Sequence, residues 1–255
     1  MYYYIYDIFT NEKKYEKQLG KIELDLANLG ISGKVYKLNV LKNLKNIIEE
    51  ATDNGVKNII AVGNDQTVSK IANLMVGEDM AIGIIPVGEP NLLANALGIN
   101  SAEEAGKIIS ARKIARLDVG KINGQYFLLA VEPPTHNIIF EFKDYNIKPR
   151  GDNEAVGIYN INIDSKNFKS NPEDGVMEAV FVPKQKGWWQ KLLGSKNKQS
   201  IEALSVFPVK KLTIKHKKKP VMVNIDRQRT LKTPLEIGIL PRKLEVIVGK
   251  ERAFD

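Results

Sequence analysis

Residues 59–99 read IIAVGNDQTVSKIANLMVGEDMAIGIIPVGEPNLLANALGI. Two apolar runs, 59–62 and 81–85, each end in a turn containing Gly, Asn or Pro, and an amphipathic stretch follows each turn. Strand, turn and helix, twice over, is the pattern of short buried strands in a parallel sheet with crossover helices. Ligands of such sheets bind beyond the carboxyl ends of the strands, where these two polar turns must sit. Half of any chemical site is therefore expected at these turns.

Working outward, residues 2–9 read as a first strand. Thr10 or Asn11 can cap a helix on which Tyr15, Leu19, Ile22, Leu26 and Leu29 recur at helical spacing, ended by Gly30 and Gly33. Residues 35–38 read as a second strand. Leu41, Leu44, Ile47, Ile48 and Ala51 mark a second helix, stopped by Asp53-Asn54-Gly55. Beyond Ile99, Ser101 and Glu104 form a capping box for a helix to about Ser110. Residues 1–113 thus read as an α/β domain with a Rossmann-like parallel sheet.

From residue 114 the helical period gives way to period-2 segments. Strand candidates are 114–119, 126–132, 138–142, 156–163, 176–182, 211–215, 221–225 and 244–248, with turn signals at Asn123-Gly124 and Asp174-Gly175. Residues 114–255 read as a mostly antiparallel β-sandwich domain on the substrate side.

Composition narrows the function classes. At 43% hydrophobic and 27% charged residues, the chain is that of an ordinary soluble protein able to bury a core. The first nine residues lack a basic leader and a small-residue cleavage site, so they read as structure, not signal. The absence of cysteine excludes disulfides, thiolate metal sites and cysteine nucleophiles, and fits a cytoplasmic setting. With only His136 and His216, a histidine zinc site is not expected. A net charge of +8 suggests an anionic partner (a phosphate-bearing ligand, an anionic membrane or nucleic acid) or simply solubility.

The turns also carry a resemblance. Gly63-Asn64-Asp65-Gln66-Thr67 resembles the GGDGT motif of the diacylglycerol kinase catalytic family, and the run from Pro86 through Gly88, Asn91 and Ala94 to Ile99 resembles its P-L-G-T-x-N-x-x-A-x-x-L-G-I. The two lie in the right order, about 20 residues apart, as a β-α-β repeat requires. Residues 116–124, 171–178 and 221–226 resemble further segments of the family, the last being its D-G-E motif. Related NAD kinases share a GGDGT-type motif, but the continuation to Ile99 and the Asp174-Gly175 segment favour the lipid-kinase branch.

The resemblance implies a diacylglycerol-kinase-like and NAD-kinase-like fold, and phosphoryl transfer from ATP to a lipid hydroxyl with Mg²⁺. It implies Gly63, Asn64, Asp65, Thr67, Gly88 and Asn91 around the nucleotide, Asp65 on the metal, and Asp65 and Asp226 as catalytic carboxylates, Asp226 being the base. Nucleotide and lipid are then the small-molecule partners, on a cytoplasmic protein that touches the inner face of a membrane.

Departures from the family pattern fall at the site. Asn64 and Gln66 replace glycines, Glu89 and Pro90 follow Gly88, and Gln228 replaces the Glu of D-G-E. Residues 6–11 hold no glycine where the family has an N-P-x-x-G phosphate loop, and residues 128–134 replace its small-residue stretch. These changes set an active kinase against a catalytically degenerate relative that keeps a nucleotide or lipid cleft. A basic nucleic-acid-binding protein is the weakest reading, since no recognition motif accompanies the charge.

Each residue also has a plain structural role to weigh. Asp65 and Thr67 could cap a helix beginning near Gln66, Asn91 could cap one at Leu92, and Asp226 could be a turn residue at a strand end. Asp118 reads as a salt-bridged strand carboxylate. Trp188, Trp189 and Lys191 could meet a membrane interface or pack on the β domain. The run Lys215-His216-Lys217-Lys218-Lys219 reads as a solvated hairpin turn, with an anion patch as the alternative.

Overall fold

The computed structural model describes residues 1–39, 43–149, 153–163, 168–183 and 204–254. Leu41 and the Trp188, Trp189 and Lys191 segment lie outside them. The N-terminal half alternates β1 (Tyr2–Tyr6), α1 (Lys13–Asn28), β2 (Lys34–Lys37), α2 (Leu44–Asp53), β3 (Asn58–Gly63), α3 (Asp65–Met75), β4 (Ala81–Pro86), α4 (Leu92–Ala96) and α5 (Ala102–Ala111). The strands pair in parallel in the order β2-β1-β3-β4. Every residue of β3 and β4 is buried, as the unbroken apolar runs require of strands covered on both faces.

The order reverses direction after β2, so right-handed crossovers put α1 on the face opposite α2 and α3. Consistent with this, α1 packs on α5 and α2 on α3. The Ser101–Glu104 capping box forms as read, with each side chain bonded to the other residue's backbone N–H.

The first strand is shorter than the apolar run suggested. It stops at Tyr6, and Ile8–Asn11 make a 3-10 turn in which Thr10 Oγ1 donates to the Asp7 carbonyl at 2.6 Å. The N-cap of α1 is Glu12, without a side-chain bond, in place of Thr10 or Asn11. Thr10 satisfies its hydroxyl one turn too early to cap the helix.

The second half is β5 (Ile114–Ile122), β6 (Gln125–Phe127), β7 (Ala130–Glu132), β8 (Ile138–Glu141), β9 (Asn146–Ile147), β10 (Asn153–Tyr159), β11 (Met177–Pro183), β12 (Ser205–Val209), β13 (Lys211–His216), β14 (Met222–Ile225), β15 (Arg229–Lys232) and β16 (Leu235–Ile247). Six strands form an antiparallel sheet, β12-β11-β10-β7-β14-β15. The rest extend the parallel sheet through β16, which pairs in parallel with β4 at Glu245 and Val246 and antiparallel with β5 and β13 along its length. The two sheets face each other across a second core holding Phe140, Leu212, Ile214 and Ile237 from one and Val131, Ile158, Met177, Phe181 and Ile225 from the other. Phe140 and Phe181 meet edge to face across it, centroids 5.3 Å apart.

Further strand readings change, and the candidate at 156–163 stops at Tyr159. The candidate at 126–132 is broken at Leu128 and Leu129, whose N–H groups turn toward Asp226. The closing strand is 13 residues long and begins at Leu235, well before residue 244. Pro241 and Arg242, which looked like punctuation, sit in an irregularity where the pairing with β5 shifts register between Leu240 and Leu244. By this strand the chain's end returns to the first core, where Leu244, Val246, Ile247 and Val248 are buried.

Candidate active site

Strands β1, β3 and β4 end side by side, and the crevice between β1 and β3 is the point where strand order reverses. Three loops meet at this edge: residues 7–11, 63–67 and 87–91. They are bonded to one another. Asp7 N donates to Val62 O at 3.1 Å, Val87 N to Gly63 O at 3.1 Å, and Asp65 N to Pro90 O at 2.9 Å. Asn64 Nδ2 donates to Glu89 O at 3.1 Å, and Asn91 Nδ2 to Gly88 O at 2.5 Å.

Asn64 is the N-cap of α3, its Oδ1 accepting from Gln66 N at 3.1 Å and Thr67 N at 3.4 Å. Asp65 is therefore free of that task and caps the next helix instead. Its Oδ2 accepts from Leu92 N at 2.8 Å and its Oδ1 from Leu93 N at 2.9 Å, at the start of α4. Asn91 occupies the N-cap position of α4 but makes no capping bond. Asp65 is 1% exposed. Burial raises its pKa, the two N–H donors of Leu93 and Leu92 pull it back, and Glu89 adds to the rise. Thr67 Oγ1 donates to Asp7 Oδ2 at 2.8 Å across the switch-point crevice, with both residues buried.

The two glycines serve different ends. A Cβ on Gly63 would collide with the Thr67 side chain, so this glycine lets α3 start close against β3. Gly88 has φ +74, and a Cβ there would lie 2.8 Å from the Phe9 ring and 3.3 Å from the Tyr15 hydroxyl. The space above the Gly88 backbone thus holds an aromatic ring of the same chain.

Asp226 lies in the other half, in the β14–β15 hairpin, where it and Arg227 have φ of 53° and 57°. Both residues positive in φ is the pattern of a type I′ turn. Its Oδ1 accepts from Leu129 N at 2.8 Å, Ala130 N at 3.1 Å and Leu128 N at 3.2 Å, and its Oδ2 from Leu128 N at 3.0 Å. Burial pushes its carboxyl up to about 6, against the pull of those three N–H groups and of Arg229. Arg229 donates to the Tyr126 carbonyl, and from α3 the Asn73 side chain donates to that carbonyl at 3.3 Å and accepts from Tyr126 N at 3.0 Å. This contact runs from the helix after the Asp65 loop to the hairpin carrying Asp226.

Asp118 is a backbone cross-link and makes no salt bridge among the described residues. It accepts from Arg242 N at 2.7 Å and Gly175 N at 2.6 Å, fixing the β16 irregularity to the 174–175 turn. His216 Nδ1 accepts from Lys218 N and Lys219 N, and the lysines at 215 and 217–219 are exposed, as in a solvated turn.

Among the described residues no three His, Cys, Asp or Glu side chains are grouped to hold a metal ion. With Asp65 covered and both its oxygens bonded to backbone, these residues do not fit a Mg²⁺ held by protein carboxylates. The residue that sequence reading missed is Asp7. A carboxylate directly after the apolar run of β1 was the available signal, since strand ends of a parallel sheet line its binding edge.

Residues 2–122 match the family model described as the diacylglycerol kinase catalytic domain. A diacylglycerol kinase of Bacillus subtilis (strain 168) is 28% identical over 130 residues, 49% of this chain and 42% of that protein. Residues 2–122 are similar to a diacylglycerol kinase catalytic domain. The "Probable lipid kinase YegS-like" protein of Enterobacter sp. (strain 638) is 37% identical over 81 residues, 30% of this chain and 27% of that one. Both matches thus span less than half of the relative's length. A crystal structure of a diacylglycerol kinase from Bacillus anthracis str. Sterne shares the fold across 97% of this chain and 96% of that one, with a TM-score of 0.70 at 20% identity. No helix among the described residues is long and apolar enough to cross a membrane.

Proposed function

We propose that this chain is a lipid-kinase-type phosphotransferase with attenuated turnover, taking ATP at the carboxyl edge of the parallel sheet and a lipid alcohol from the β-sandwich side. The observation that carries the reading is the placement of the Gly63 and Gly88 turns on neighbouring strands, beside the switch-point crevice, in a chain whose first 122 residues match a diacylglycerol kinase domain. Helix α3 starts within this edge, and a helix N-terminus attracts anions.

Attenuation follows from where the carboxylates are. Phosphoryl transfer relies on positioning and on charge stabilisation at the transferring group. A base must come within hydrogen-bond reach of the hydroxyl it deprotonates. Asp226 is enclosed by three backbone N–H groups and Asp65 by two, so both act as positioning residues in this arrangement. Mg²⁺, if it takes part, arrives with the nucleotide, whose phosphates and water satisfy most of its octahedral shell.

The second reading is a nucleotide- or lipid-binding protein without transfer, and the same two enclosed carboxylates favour it. Transfer of label from γ-³²P-ATP to a diacylglycerol in mixed micelles separates the two. The proposal expects lipid-borne label at a rate well under the roughly 1–100 s⁻¹ usual for kinases. ATP binding with no labelled lipid leaves the second reading, and no ATP binding removes both.

A further inference from the structure

The carboxyl end of β1 is where this molecule departs furthest from a phosphate cradle. A glycine in positive φ offers bare backbone that a phosphate can approach, and Gly88 has that geometry at the strand edge. Here the face of Gly88 is covered by Phe9. The ring is held edge-on by Tyr15, with centroids 5.5 Å apart and planes at 66°. In the same loop, the Asp7 carboxylate accepts from the Thr67 hydroxyl across the crevice. A ring and an anion thus occupy the place where an incoming phosphate would need open backbone and positive potential.

The segment carrying Phe9 is built as a small unit. Thr10 N and Thr10 Oγ1 both bond to Asp7 O, and Glu12 N bonds to Phe9 O, so these bonds are internal to the turn. Its flanking residues, Asp7 and Glu12, are extended, and neither contributes a side-chain cap. Ile8 is 49% exposed and Phe9 only half-buried. Thr10 is buried and Asp7 is tied to Val62 and Thr67, so the turn itself is anchored and the half-buried Phe9 ring is its movable part.

We propose that Phe9 is an access-determining residue: its ring, held by Tyr15, occupies the phosphate position of the nucleotide site from within the chain. ATP is admitted when the Phe9 ring swings off Gly88. The inference rests on the nucleotide reading given above. Apparent affinity then equals intrinsic affinity scaled by the fraction of molecules with the ring swung away. A half-buried ring holds the closed form by about tenfold, from the area it removes from water.

The test is calorimetric titration of the full chain and its Phe9→Ala variant with Mg-ATP and, separately, with adenosine, after thermal melts have confirmed both fold. Phe9→Ala is expected to bind Mg-ATP about tenfold more tightly, with adenosine unchanged because it brings no phosphate. If Phe9→Ala does not fold, Tyr15→Ala, which removes only the ring's edge partner, carries the same expectation with a smaller gain. Equal Mg-ATP affinity in wild type and variant overturns the inference while the nucleotide reading stands. So does an equal gain for ATP and adenosine, which would make the ring a guard of the nucleoside instead. No Mg-ATP binding by either protein removes both the inference and the nucleotide reading.

Discussion

Asp65 and Asp226 do the same kind of work in the two halves of the molecule, yet their surroundings differ. Asp65 reaches 27 and 28 residues along the chain to the N–H groups of Leu92 and Leu93, closing one βα loop over the next. Asp226 reaches back 96 to 98 residues to three N–H groups where β6 and β7 break. The first joins neighbouring repeats of one sheet; the second pins a hairpin to a distant strand. Residue types that suggest chemistry serve here as backbone anchors, and the Asp65 anchor shapes a loop at the edge where ligands are expected.

The comparison sharpens if each carboxylate is removed. Asp226→Ala orphans three buried N–H donors and is expected to cost about 3–5 kcal/mol in chemical denaturation, the largest effect proposed here. Asp226→Asn keeps an acceptor for them and should recover more than half of that loss. Asp65→Ala orphans two donors at a helix start and is expected to cost about 2–3 kcal/mol, with Asp65→Asn again milder. If the two alanine variants were equally and only slightly destabilised, the anchoring account would fail for both.

A separate effect is in pH dependence. The folded chain keeps the Asp226 proton up to a pH of about 6, against 3.8 for the ordinary group. Between those values the native state binds more protons than the unfolded chain, so this group's contribution to stability falls as pH rises from about 4 to 6. Glu178 behaves likewise over a wider window, since burial, with Asp174 beside it, lifts its carboxyl from 4.5 to about 8. Glu178→Gln should remove the decline in melting temperature between about pH 6 and 8 and part of it below 6, and Asp226→Asn the remainder between about pH 4 and 6. Persistence of the full decline in the double variant would contradict these assignments.

Much of the architecture was legible because burial imposes a period. The unbroken apolar runs at 59–62 and 81–85 could only be covered strands, and the Ser101–Glu104 box and the Asn123-Gly124 hairpin use local chemistry that the sequence displays directly. Residue Asn123 has φ 44° and Gly124 φ 81°, as such a two-residue turn demands. What stayed hidden was set by long-range partners. The break at Leu128 and Leu129 depends on Asp226, nearly a hundred residues away, and β16 runs through Pro241 because it pairs with strands on both sides. The turn residues 63–67 and 87–91 did come together as read. The role of Asp65 as cap of α4 and the seat of Phe9 on Gly88 required the third dimension.

The most direct measurement is a map of backbone amide chemical shifts as Mg-ATP is added to the isotopically labelled chain. The account predicts changes concentrated at residues 63–67, 87–91 and 7–11, the three loops that meet beyond β1, β3 and β4. Shifts confined to the β-sandwich, or none at saturating nucleotide, would contradict a nucleotide site at the carboxyl edge of the parallel sheet.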